Sequence, residues 1–207
     1  YTESDIIRAT AQELAECKVA LVVVNNPQNV TGGYDADTDT YLPISLQYGE
    51  YVADSEGVRA ESIAGDSDTV EVNNPYVKQT QSVKENRSYY GEKAEISNVS
   101  DLDGILYTAE NMPEDARIIV AVNANKPMIF SEFEDKVDAI LVGFSIQNDY
   151  FLKVASGYYE PSGLLPMQMP ANMETVEAQY EDVPRDMECY VDAAGNTYDF
   201  AYGMNWS

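Results

Sequence analysis

Apolar residues gather into three short, unbroken runs, which predict strands from Lys18 to Val24, from Arg117 to Val122 and from Ala139 to Val142. Continuous rather than alternating apolar character is the mark of parallel strands covered on both faces. Helical spacing lies between these runs. Ile6, Ile7, Ala9, Ala11, Leu14 and Ala15 predict a helix from about Asp5 to Glu16, capped by Ser4. A second helix is expected from about Asp101 to Met112, capped by Ser100. After the third run Gly143 is expected to let the chain leave the sheet. A helix capped by Asn148 then carries Phe151, Leu152, Val154 and Ala155 and closes at Gly157. Helices alternating with buried strands give an α/β fold: a mostly parallel sheet sandwiched by helices.

The rhythm breaks twice. Asn25-Asn26-Pro27 stops the first strand, because proline cannot continue a ladder. From Gln28 to about Ser100 the chain is rich in glycine, aspartate and tyrosine. Residues 36–100 therefore form a loop and hairpin excursion within a single domain spanning 1–207. Thr69-Val70-Glu71-Val72 and Tyr76-Val77-Lys78 predict a hairpin around Asn73-Asn74-Pro75. The excursion leaves from the carboxyl edge of the first strand, where open α/β sheets place their ligand crevices. Later, Met167 to Met187 reads as a polar, proline-punctuated loop, and Met187 to Gly203 as a C-terminal hairpin turning at Ala194-Gly195-Asn196.

Charge narrows the partners. The 207 residues hold 12 basic and 36 acidic side chains, a net charge of −24. Such a surface repels phosphate backbones and anionic lipid, which argues against nucleic-acid and membrane partners. No apolar run approaches the roughly 18 residues that span a bilayer. The chain has no histidine, so it holds neither a Ser-His-Asp triad nor a His-ligated metal site. Cys17 and Cys189, without CxxC spacing, read as structural thiols. No phosphate-cradling glycine motif follows a strand, so no cofactor is expected. Without an initiator Met or a leader, the chain reads as a piece of something longer, from a secreted or cytoplasmic bacterial protein.

In combination the motifs say more. The two early strands, the Asn-x-x-x-Pro ending of the second, the third strand with its helix, the turn Glu160-Pro161-Ser162-Gly163-Leu164-Leu165-Pro166 and the tail Tyr198 to Trp206 resemble, in that order, the C-terminal α/β sandwich domain of family 3 glycoside hydrolases. The likeness runs from about Asp5 to Ser207, apart from the excursion. It implies hydrolysis of β-glycosidic O-linkages in a β-glucoside or β-linked oligosaccharide, beside a (β/α)8 barrel that carries the nucleophile. This chain lacks that barrel. The family often supplies its acid/base glutamate from the loop after the first strand. Val30 and Gly32 stand in the matching slots, while Gly33 and Asp35 keep the family's glycine and aspartate.

Retaining hydrolysis needs a second carboxylate that alternates as acid and base. The excursion is the expected source, with Glu50, Glu56, Glu61 and Glu85 as alternatives. Tyr34, Asp35, Tyr48, Arg59, Tyr89 and Tyr90 are the substrate-contact candidates, since tyrosine joins a flat apolar face to a hydroxyl. The other class of function is a non-catalytic carbohydrate-binding or assembly module derived from such a domain. Self-association into a homo-oligomer is compatible with either.

Overall fold

In the computed structural model, which describes residues 9–63, 65, 70–76, 79–180 and 182–205, the elements follow one another in this order. Helix α1 (Ala11–Glu16) leads into β1 (Val19–Asn25), then β2 (Tyr34–Asp35), β3 (Thr40–Tyr41), β4 (Val70–Asn74) and β5 (Gln79–Val83). Then come α2 (Val99–Asn111), β6 (Arg117–Ala124), β7 (Ala139–Phe144), α3 (Asn148–Ala155) and α4 (Met173–Ala178). Strands β1, β6 and β7 form a parallel sheet with β6 in the middle. Helix α2 packs on β1 and β6, and α3 reaches β1. Two small antiparallel pairs, β2–β3 and β4–β5, belong to the excursion. The expected α/β class holds. No described helix is long and apolar enough to cross a membrane.

Burial on both faces is confined to the central strand. Val120, Ala121 and Val122 of β6 are fully buried, whereas Val19 and Val23 of β1 are 59% and 41% exposed. A continuous apolar run cannot reveal that, among the described residues, β1 has a neighbour on one side only.

Local chemistry corrects several boundaries. Thr10 caps α1 in a capping box: its hydroxyl accepts from the Glu13 amide, and the Glu13 carboxylate accepts from the Thr10 amide at 2.8 Å. The expected cap Ser4, with Ile6 and Ile7, lies outside the described residues. Asn98 rather than Ser100 precedes α2, and Gln147 rather than Asn148 precedes α3. Gly143 stays in β7, paired with Asn123, and its missing side chain makes room for Ile146 and Phe151. Gly157, at φ 75°, does close α3. The excursion hairpin turns later than expected, because Asn73 and Asn74 are the end of β4. Thr69, Val77 and Lys78 are not among the described residues. Within the polar stretch after Pro166, Asn172 caps the short helix α4 by accepting from the Thr175 amide at 2.9 Å.

The C-terminal segments wrap the main core. The Leu165 amide donates to the Tyr202 carbonyl, Met169 to Tyr198, and Tyr190 to Met169, so residues 165–171, 188–191 and 197–202 form one narrow ribbon. Tyr198 brings its ring onto Phe130 and stacks on Tyr202. Gly203 lies so close to the Gly163 carbonyl that a Cβ would sit 2.6 Å from its oxygen. The Pro-Ser-Gly turn and the aromatic tail thus touch.

The excursion is docked through a second core of Tyr51, Ala53, Val58, Ala94, Ile129 and Met173. The Asn29–Ile96 bridge pins the chain before the excursion to the excursion's return. Gly57 lies on α4, where a Cβ would meet the Glu177 carbonyl carbon and oxygen at 2.7 Å. Gly57→Ala therefore lowers stability by about 2 kcal/mol, through forced separation of backbones. Gly104→Ala, inside α2 with open space around it, raises stability by about 0.5–1 kcal/mol. Urea midpoints of the two variants check the opposite signs.

Candidate functional site

Strand β1 ends on Asn25, and β6 carries Asn123 one residue before its end. Asn25 of β1 stands opposite Asn123 of β6, which in turn stands opposite Gly143 of β7. Parallel strands in register bring these ends to one edge of the sheet. There a cleft of about 260 Å³ is lined by Asn25, Asn26, Gln28, Asn123, Asn125 and Ser145, with Ala124. The edge is the one at which open α/β sheets bind ligands.

The wall is a network of amides. Buried Asn26 accepts from the Asn125 backbone amide at 3.1 Å and donates to the Pro27 carbonyl at 3.3 Å. Asn123 accepts from the Ser145 amide at 3.1 Å, holding that residue in the left-handed region at φ 55°. Asn98, ahead of α2, accepts from the Gln28 amide at 2.7 Å and donates to Asp101 at 2.9 Å. Asp101 in turn accepts from the Asn25 amide at 3.1 Å. Asn25 and Asn125 are exposed and Asn123 is half-buried. Each side-chain amide offers a donor and an acceptor side by side, which suits neighbouring hydroxyls on a neutral ligand. The lining residues carry amide and hydroxyl groups and no carboxylate, phenol or amine.

Tyr48 supports this wall from beneath. Its ring is 1% exposed in the main core, and its hydroxyl donates to the Asn25 carbonyl. Burial, and then the charges of Asp101 and Glu132, push its phenol far above the ordinary range. The amides of Tyr48 and Gly49 both donate to the Glu132 carboxylate, at 2.7 Å each. Burial raises the Glu132 carboxyl above its usual value, while these two amides pull it down.

The other candidates are scattered. Glu50 pairs with Lys93, which holds its carboxyl below the usual range, and Glu56 and Glu61 are exposed. Glu85 is half-buried against Gly65. None of these four lines the asparagine cleft. Tyr34 donates to Asp39 at 2.7 Å, and Asp35 accepts from Thr38 at 2.7 Å and from the Asp37 amide at 2.9 Å within its own turn. Tyr89 donates to Glu177 at 2.9 Å, beside Tyr51, which donates to the same carboxylate. Arg59 and Tyr90 are exposed near Ser88, whose hydroxyl donates to the Arg59 carbonyl and accepts from the Tyr90 amide. The cleft asparagines escape a sequence reading because they look like strand stops. The signal available was that both apolar runs are followed at once by an asparagine, Asn25 after Val24 and Asn123 after Val122.

Comparison with known proteins finds partial relatives. A stretch of 89 residues is 30% identical to a protein of Aspergillus flavus named "Probable beta-glucosidase C", covering 43% of this chain and 13% of the relative. "Beta-glucosidase C" of Emericella nidulans is 36% identical over 70 residues, 34% of this chain and 11% of that protein. Part of this chain is related to β-glucosidases. The relationship is of the glycoside-hydrolase kind, and the matched stretch spans little more than a tenth of the relatives' length. No family model and no solved structure matches the chain.

Glu132 makes the site's supports sensitive to pH. Its folded-state value lies above the unfolded one, so its favourable contribution is full below the unfolded value and fades as pH rises through the folded one. Glu132→Gln removes that fading. The difference in urea stability between wild type and Glu132→Gln therefore changes as the pH rises from 4 towards 7, with the wild type losing more.

Proposed function

We propose that this chain is the C-terminal α/β sandwich domain of a family 3 glycoside hydrolase. Its asparagine cleft walls the sugar pocket beside a separate (β/α)8 barrel that carries the nucleophile. The complete enzyme hydrolyses β-glycosidic O-linkages in a β-glucoside or a β-linked oligosaccharide. The observation that carries this reading is the uncharged amide cleft at the carboxyl edge of β1 and β6 in a chain with β-glucosidase relatives. The amides of Asn25, Asn123 and Asn125 hold sugar hydroxyls and the barrel performs the bond cleavage.

The acid/base role is assigned to the excursion, among Glu50, Glu56, Glu61 and Glu85. Lys93 stabilises the charged form of Glu50, which weakens it as a proton donor. Tyr34, Asp35, Tyr48, Arg59, Tyr89 and Tyr90 shape or support the pocket rim, Tyr48 from below.

A non-catalytic carbohydrate-binding module is the second reading. It is favoured by the absence of any titratable side chain from the cleft lining.

Hydrolysis of a chromogenic β-glucoside separates the two. The 207-residue chain alone shows no turnover, and adding its barrel segment restores it. In that assembly Asn123→Ala raises KM about tenfold through lost hydrogen bonds. Changing Glu50, Glu56, Glu61 or Glu85 to Gln lowers kcat by at least about 10²-fold at the residue that serves as acid/base. Turnover by the chain alone contradicts the division of labour, and unchanged rates in every glutamate variant move the proton-transfer role out of this chain.

A further inference from the structure

Ser145 holds a backbone conformation that serine does not favour. Among the described residues four non-glycine ones have a positive φ, namely Asp39, Ser145, Arg185 and Ala201, and of these only Ser145 lines the asparagine cleft. At φ 55° the Cβ presses on the following carbonyl, which is why glycine is the usual occupant. Strain of this kind persists only where the surroundings over-determine it, and it gathers at sites that bind or react.

The surroundings hold Ser145 from two sides. Ile146 folds back against the bare Cα of Gly143, where a Cβ would sit 2.5 Å from the Ile146 Cδ1, so the chain must reverse between the two. The Asn123 side chain accepts from the Ser145 amide at 3.1 Å. Glycine would make the same reversal and the same hydrogen bond, since neither uses the serine side chain. The hydroxyl takes no partner among the described residues, and Ser145 is exposed at the cleft.

The same bond fixes the polarity of the neighbouring amide. Asn123 commits its carbonyl oxygen to Ser145, so its nitrogen is left as a donor. Gln28 commits its nitrogen to the Asn26 carbonyl at 2.8 Å, so its oxygen is left as an acceptor. The cleft therefore holds one set donor, one set acceptor and, at Ser145, a rotor that does either. A ligand hydroxyl matches all three. A carboxylate, with no proton to give, leaves Gln28 unmatched, and an ammonium, with no lone pair, leaves Asn123 unmatched.

We propose that Ser145 is a ligand-contact residue that sets the specificity of this cleft. Its strained backbone presents the hydroxyl to one ligand hydroxyl, beside the Asn123 nitrogen, and the chain keeps serine there at the expense of stability. The choice of a sugar as the ligand rests on the proposed function.

The test is a titration of the ¹⁵N-labelled 207-residue chain with methyl β-glucoside, read at the Asn123 side-chain amide. Ser145→Gly and Ser145→Ala each raise the fitted Kd about tenfold through the lost hydrogen bond. Ser145→Asn, which tolerates the left-handed region and keeps a polar tip, stays within about threefold of the wild type. Ser145→Gly melts no lower than the wild type, so its weaker binding is not a loss of folding. Each mono-deoxy analogue of the glucoside is then titrated. One of them binds the wild type about tenfold more weakly than the parent sugar, yet binds Ser145→Gly as the parent does, because the hydroxyl it lacks is the one Ser145 reads. Glycine and alanine variants that bind as the wild type does, or a series in which no analogue loses its penalty in Ser145→Gly, overturn the inference and leave the proposed function standing. A Ser145→Gly midpoint below that of the wild type overturns the strain on which the inference is built. Saturating sugar that leaves the amides of Asn25, Asn123 and Asn125 unmoved in the wild type overturns both the inference and the proposed sugar pocket.

Discussion

One contact holds the excursion, the core and the cleft to a common geometry: the buried Tyr48 side chain, with Glu132 gripping its backbone. The ring fills the main core, the hydroxyl meets the Asn25 carbonyl, and the amides of Tyr48 and Gly49 share one carboxylate from the segment after β6. Two backbone amides converge on the one half-buried Glu132 side chain, which fixes the turn that seats the ring. Gly49 belongs to the same constraint, since a Cβ there would press on the Glu132 carboxylate at 2.9 Å. The excursion leaves the sheet edge but returns to the body at this point. In its docked parts it is a structural layer rather than a free flap.

The α/β class and the three sheet strands were legible because a continuous β-branched run has few other stable fates. Their burial was not equally legible. Val19 and Val23 look like Val120 and Val122 in sequence, and only strand order distinguishes an outer strand from the middle one. Helix caps were misplaced by one to a few residues wherever several Ser, Thr or Asn side chains competed, as at Asn98 and Ser100. Helix α4 was hidden by its six-residue length and by the prolines around it. Its Asn172 cap was nonetheless a readable signal.

The candidate site was legible as a location more than as a residue list. The carboxyl edge after β1 could be singled out from chain rhythm alone. Its asparagines could not, because a polar residue near the end of a strand is ordinary until two of them are found in register. Tyr48 illustrates the converse. A tyrosine in a loop reads as a sugar platform, and only tertiary packing shows it as a support under the wall. The Pro-Ser-Gly turn and the aromatic tail, far apart in sequence, touch through Gly163 and Gly203 and belong to the scaffold. In the division of labour we propose, amides would orient a neutral ligand at the sheet edge and a separate barrel would carry the covalent chemistry.

Native-state hydrogen exchange tests the central structural claim most directly, because it reports the free energy at which each amide opens. The amides of Tyr48 and Gly49 are predicted to exchange only through the same large opening that exposes Val120 and Val122 in β6. Exchange of Tyr48 and Gly49 at the fast rate of the surface pair β2–β3 would contradict the account, since it would leave the cleft wall without its support.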